Sequence, residues 1–318
     1  MNARPLHTRL LLSAAIGGAA WLGLAFLARG FAFDTAIFEL MFLLAPLVVT
    51  PLALALLANR YAAGIPFTFA LACVIQPVAA IGVALSVFFA AGTLAGLLTL
   101  PWLAVCALVA LTGLTGLRRR KPFTTGALAA CAGMMFLAVG GGALTASRSG
   151  VGIAGFDEPI ILLTAVHFHF TGFATAVLVS ALAEAFARDP LPARNPRAVA
   201  ISAIGLIAAT PLLAIGWLLD SAAWKLICVL MLVASLALLA ALAFRLAARR
   251  GPALARTLLA VSAASVLFGM VLAGLYGAGE FAGYSLIDLH QMARWHGVAN
   301  GIGFTICGLL ALNLEARA

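Results

Sequence analysis

Glu158-Pro-Ile-Ile-Leu-Leu-Thr-Ala-Val-His-Phe-His-Phe-Thr171 sets two histidines inside an apolar segment long enough to cross a bilayer. Ionisable groups at that depth are costly to insert, so by default they mark function. A second segment, Asp288-Leu-His-Gln-Met-Ala-Arg-Trp-His-Gly-Val-Ala-Asn300, carries two more histidines with an arginine and an asparagine. Of the five histidines only His7 lies elsewhere. Both segments otherwise read as lipid-soluble helices, and they are expected to face each other.

Working outward, the whole chain has the same character. Its 318 residues are 64% hydrophobic and 9% charged, with a mean hydropathy of +1.15, the composition of an integral membrane protein rather than a soluble domain. Apolar runs of about 20 residues recur along it, which fits helical spans and not the weaker alternation of a membrane barrel. The fold class is therefore all-α, a polytopic helical membrane bundle. Ten spans are expected, at 10–30, 35–58, 66–90, 93–117, 123–146, 158–184, 198–219, 222–247, 255–277 and 287–313. Residues 1–318 read as a single integral membrane domain, with parts 1–187 and 198–318 joined by the polar, proline-rich connection 188–197.

A net charge of +9 suggests nucleic acid in a soluble protein. Here it is a topology signal, and no nucleic-acid partner is expected. With a cytoplasmic N-terminus, every Lys and Arg except Arg29, Arg148, Lys225 and Arg294 falls at a cytoplasmic end, including the run Arg118-Arg-Arg-Lys121. The positive-inside rule then puts both termini in the cytoplasm. Asp34, Glu39, Asp157, Glu158, Asp220, Glu280 and Asp288 fall on or near the outer face.

Punctuation within the spans is sparse. Residues 1–9 form a basic leader to a retained first span rather than a cleaved signal. Pro77 frees a backbone carbonyl that Gln76 is placed to satisfy. Gly140-Gly-Gly142 permits close helix approach or a break near the outer surface. Thr210-Pro-Leu212 echoes Thr50-Pro-Leu52, as an inverted five-plus-five repeat would require. The five cysteines lie within spans and lack zinc-site or redox-pair spacing, so they read as small buried apolar residues.

Helical geometry divides the histidines. Each residue turns by about 100°, so His167 and His169 point to nearly opposite sides. His167 shares a stripe with Thr164 and Thr171, which reads as the inner face and makes His167 the ligand or proton-transfer group. The stripe of His169 runs back to Glu158 and reads as the more forgiving side; Asp157 is the expected N-cap, with Pro159 near the first helical position. On the last helix His296 and Asn300 are i and i+4 and share a face, while His290 and Arg294 form a second such pair nearer the surface, beside Trp295. Gly297 and Gly301 form a small-xxx-small patch. At about 1.5 Å per residue, His167, His169 and His296 lie roughly 12–17 Å from their helix starts. Matched depth suggests one cavity opening outward. His167, His169, His296, Asn300 and Glu158 would be its acid-base groups, and His290, Arg294, Thr164, Thr171 and Trp295 its substrate contacts.

The runs Pro159-Ile-Ile-Leu-Leu-Thr-Ala-Val-His-Phe-His-Phe-Thr-Gly-Phe173 and Trp295-His-Gly-Val-Ala-Asn-Gly-Ile-Gly-Phe304 resemble the YndJ-like family of polytopic bacterial membrane proteins. The resemblance covers these two helices and the span count, implies a multi-pass protein of the bacterial cytoplasmic membrane, and carries no function with it. Val166-His-Phe-His169 is also similar to the His-Phe-His of haem-copper oxidase catalytic subunits, where the two histidines face two haems. The further metal-binding histidines of that pattern, an adjacent pair among them, are absent from this sequence. What that likeness leaves is a single bis-histidine haem, or a transition metal, held by His167 or His169 with His296.

Three readings fit these residues. One is an enzyme doing acid-base chemistry, isomerisation or cyclisation, on a lipophilic small molecule in the membrane, since histidine titrates near neutrality. The second is a haem or metal redox protein. The third is a small-molecule transporter built on the five-plus-five repeat.

Overall fold

The computed structural model describes residues 3–28, 36–61, 63–119, 124–188, 196–249 and 251–316. Arg29, Asp34, Arg120, Lys121, most of the 188–197 connection, Arg250 and Arg317 lie outside the described residues. Among the described residues ten helices are long and apolar enough to cross a membrane: α1 (Arg4–Leu27), α2 (Ile37–Tyr61), α3 (Phe67–Ser86), α4 (Thr93–Arg118), α5 (Thr125–Ser149), α6 (Ile160–Ala187), α7 (Pro196–Leu218), α8 (Ala222–Ala247), α9 (Ala253–Ala282) and α10 (Leu289–Glu315). The all-α expectation holds, with each helix within a few residues of its apolar run. The largest shift is at α1, which starts at the Arg4 end of the basic leader because those polar residues still continue a helix.

The helices pack as two compact units. The first comprises Met1–Pro122 with Cys131–Ala174, the second Phe123–Ala130 with Thr175–Ala318. The boundary passes through α5 and α6.

In the first unit α2 is the central helix. Every residue from Met41 to Ala58 is buried, as its uniformly apolar sequence demands. Lipid gives helices no hydrophobic reason to associate, so close approach at small residues and interhelical hydrogen bonds must do so. Gly17 of α1 lies against the Leu47 carbonyl of α2, and Gly82 of α3 against the Leu98 carbonyl of α4; a Cβ at Gly82 would sit 2.5 Å from that oxygen. Arg148, at the end of α5, donates from Nη2 to the Ser86 and Phe89 carbonyls at 2.8 and 2.6 Å and lies 3.5 Å from Glu39. One guanidinium thereby closes the C-terminal end of α3 and meets the acid of α2.

Residues Ala45–Val49 of α2 form a π-helical turn, in which backbone pairing lengthens from i+4 to i+5. The Thr50 N–H therefore goes to the Ala45 carbonyl, and Pro51 has no N–H to offer Pro46. The Pro46 carbonyl is satisfied from α3 instead, by Gln76 Nε2 at 2.8 Å, and Ser13 of α1 donates to Gln76 Oε1 at 3.1 Å. The sequence correctly marks Gln76 as a carbonyl-satisfying residue, but the carbonyl belongs to the neighbouring helix.

In the second unit α7, α8, α9 and α10 pack around small residues and hydroxyls. Ser202 of α7 donates to the Ser235 carbonyl of α8 at 2.9 Å. Buried Lys225 bonds Glu280 of α9, lies 3.5 Å from Asp220, and stands 4.4 Å from the centroid of the Trp217 ring. The one cation is shared between two carboxylates and an indole face at the end of the unit where the sequence expects the outer surface.

Candidate functional site

α6 is α-helical from Ile160 to His167 and π-helical from Phe168 to Ala174. His169 lies inside the π-helical turn and is 0% exposed. Its Nδ1 is 2.7 Å from the Ala165 carbonyl, and its Nε2 is 3.1 Å from Trp102 Nε1 of α4. An indole nitrogen only donates, so Nε2 accepts and Nδ1 carries the hydrogen that the carbonyl receives. The ring stacks on Trp102 with 5.9 Å between centroids and takes the edge of Phe42 from α2 at 5.4 Å. The space exists because residue 140 of α5 is glycine: a Cβ there would lie 2.6 Å from His169 Nδ1. Both ring nitrogens are thus committed to protein partners, which leaves neither for iron, another metal or a substrate proton.

The burial of the pair is the opposite of the expected one. His167, expected on the inner face, is exposed, with Nδ1 2.7 Å from the Leu163 carbonyl of its own helix. Thr164 donates to the Ile160 carbonyl at 2.8 Å, also on its own helix, and Thr171 is half-buried. A threonine in a membrane helix can satisfy itself one turn back, as Thr164 does, so its hydroxyl does not mark a polar interior. Glu158 is exposed, and its carboxylate accepts from the Leu162 N–H at 3.3 Å. It caps the first turn of α6, the part expected of Asp157, whose backbone carbonyl accepts from Ile160 instead.

α10 begins with a capping box: the Asp288 carboxylate accepts from the Gln291 N–H at 2.8 Å, and Gln291 Oε1 accepts from the Asp288 N–H at 3.0 Å. Two π-helical segments follow, Met292–Gly297 and Ala299–Ile306. Hydroxyls take carbonyls of the second, Ser262 of α9 donating to Phe304 and Thr305 to Asn300, each at 2.7 Å. The half-buried His296 has Nδ1 2.9 Å from the Gly269 carbonyl of α9, so Nδ1 carries the hydrogen. Asn300 Nδ2 lies 3.1 Å from His296 Nε2, as the i,i+4 spacing requires. The amide lies flat on Gly269, where a Cβ would come within 2.5 Å of it. Asn300 Oδ1 is buried without a hydrogen-bond partner among the described residues. On the same helix His290, Arg294 and Trp295 are exposed.

His167 and His169 belong to the first unit, and His296 and Asn300 to the second. Among the described residues no three His, Cys, Asp or Glu side chains gather so as to hold a metal ion.

A model of the YndJ-like protein family matches residues 40–304. The chain belongs to the YndJ-like family. The matched region contains every candidate site residue of this YndJ-like protein, from Glu158 to Asn300. No curated protein and no solved structure matches the chain.

Sequence reasoning missed Trp102, Phe42 and Gly140 around His169, and Gly269 beneath Asn300. Trp102 stands in a Leu/Ala-rich span with no histidine or charged residue near it to flag it, and Gly269 is one glycine among 31. Gly140 carried a signal, since the Gly140-Gly-Gly142 run reads as a site of close approach, and Gly141 likewise meets Cys106 of α4.

Proposed function

We propose that this YndJ-like chain is a membrane enzyme that moves a proton within a lipophilic small molecule, an isomerisation or cyclisation, at the His296–Asn300 pair of α10. The observation that carries this reading is the buried Asn300 Oδ1, without a partner among the described residues, beside an imidazole. An unsatisfied buried acceptor costs about 1–3 kcal/mol, and a hydroxyl or N–H of a bound molecule would recover that. As the amide turns to such a donor, Nε2 of His296 is released to take a proton and return it elsewhere on the same molecule. Nδ1, held by the Gly269 carbonyl, keeps the ring oriented. The four-histidine cavity expected from sequence is thereby narrowed to one histidine and its amide.

The test compares lipid extracts of cells expressing the wild-type chain, His296→Gln or Asn300→Ala at equal folded amount. One lipophilic species is expected to accumulate in His296→Gln and, less strongly, in Asn300→Ala. Identical profiles in all three would remove the enzyme reading. π-helical turns in α2, α6 and α10 favour a transporter as the second reading, because such turns give helices alternative registers. Uptake by proteoliposomes of the species that accumulates, with no chemical change to it, would select transport.

The proposed orientation places both termini in the cytoplasm. Cysteines introduced in the 147–157 loop are expected to label from outside intact cells, and those at 118–121 only after permeabilisation; the opposite pattern would invert the topology.

A further inference from the structure

The exposed side of α10 carries a charge that the described residues leave unanswered. Arg294 is exposed and has no hydrogen-bond or ion-pair partner among the described residues. Five residues after Leu289, it lies about 7–8 Å along a helix of 27 residues. The carboxylates at that end of the unit are already engaged. Glu280 and Asp220 face Lys225, and Asp288 caps the helix start. His290 stands one turn before Arg294 on the same side, and Trp295, 61% exposed, stands beside it. Tyr284 and Phe281, 56% and 55% exposed, lie at the end of α9 and the turn leading into α10. Trp and Tyr are enriched at headgroup level in membrane proteins, a position that would hold Arg294 at the depth of lipid phosphates. This side is distinct from the candidate active site, because His296 turns to Gly269 of α9 while Arg294 turns outward.

We propose that the His290–Arg294–Trp295 side of α10 is a binding site for an anionic phospholipid, with the Arg294 guanidinium forked onto the phosphate oxygens and Trp295 against the glycerol and first acyl carbons. A guanidinium matches phosphate oxygens two at a time, and the hydrogen bonds so made are charge-assisted. Phosphatidylglycerol carries the net negative charge that phosphatidylcholine lacks, so the Arg294 cation is expected to prefer it. The capping box at Asp288 and Gln291 fixes the start of α10 and with it the positions of Arg294 and His290. The site goes beyond the proposed reaction and holds whether or not His296 acts on a substrate.

The full chain purified in detergent is tested by native mass spectrometry with phosphatidylglycerol and phosphatidylcholine of matched acyl chains, and separately with inorganic phosphate. The wild-type chain is expected to retain phosphatidylglycerol preferentially. Arg294→Gln should weaken that binding about tenfold or more, the scale of one lost hydrogen bond to a charged group. Arg294→Lys should keep part of it, and Arg245→Gln, which removes the same charge from the far end of α8, should leave it unchanged. Where Arg294→Gln fails to fold, Arg294→Met, an apolar residue suited to an exposed membrane helix, replaces it. Equal retention of the two lipids would mean that Arg294 only reaches for whatever headgroup is near, and would overturn the proposal. So would phosphatidylglycerol binding that survives loss of Arg294, or inorganic phosphate binding with the same dependence on Arg294.

Discussion

His169 and His296 start alike and end differently. Each lies in a π-helical turn and gives Nδ1 to a backbone carbonyl, that of Ala165 at 2.7 Å and of Gly269 at 2.9 Å. The difference is the partner of Nε2. For His169 it is the indole of a fully buried tryptophan, a donor that stacking fixes in place. For His296 it is an amide whose own oxygen is left over. A histidine deep in a membrane helix is therefore evidence of function only while one of its nitrogens has a partner that can be exchanged.

Trp102→Ala should show the largest effect. It empties a fully buried indole and strips His169 of its donor, so a loss of about 3–5 kcal/mol is expected, read as collapse of folded yield and thermal stability in detergent. Trp102→Phe keeps most of the ring but leaves Nε2 unpaired and should cost about 1–3 kcal/mol. Stability unchanged by either variant would mean that His169 is not locked, and the contrast with His296 would disappear.

Gly140→Ala comes next, at about 1–3 kcal/mol, because the added Cβ meets the His169 ring at 2.6 Å. The sharper measurement is the double variant with His169→Ala. Removing the ring should relieve most of the Gly140→Ala cost, with a coupling of about 0.5–3 kcal/mol, whereas simple additivity would separate the two residues.

At the other histidine, Asn300→Ala should change stability by only about 1 kcal/mol or less, since it deletes an unpaired buried oxygen along with the hydrogen bond to His296. Its effect belongs in the lipid profile instead. A large stability loss without a profile change would make this pair structural as well. The smallest effect is expected for exposed His167→Gln, within about 0.5 kcal/mol and with the lipid profile intact.

Ten apolar runs are enough to find ten helices, because the length needed to cross hydrocarbon is set by the bilayer. Contacts one turn apart were equally legible: the His296–Asn300 pair follows from i,i+4 spacing alone. The orientation of α6 was not. A stripe drawn at 100° per residue assumes an uninterrupted α-helix, and pairing lengthens at Phe168, between the two histidines. Thr164 then gave no guide to the inner face, because a hydroxyl bonded to its own helix carries no information about what lies beside it. The partners of His169 come from α2, α4 and α5, and no local pattern in α6 names Phe42, Trp102 or Gly140.

The bond from Gln76 to the Pro46 carbonyl bears on how the chain enters the membrane in the first place. Alone in hydrocarbon, α2 would carry a backbone oxygen that its own helix does not satisfy, a cost of several kcal/mol. The residue that satisfies it is made later, on α3. α2 is thus the poorer candidate for release into lipid as a solitary helix during synthesis, and the better candidate for waiting at the insertion machinery until α3 has emerged beside it.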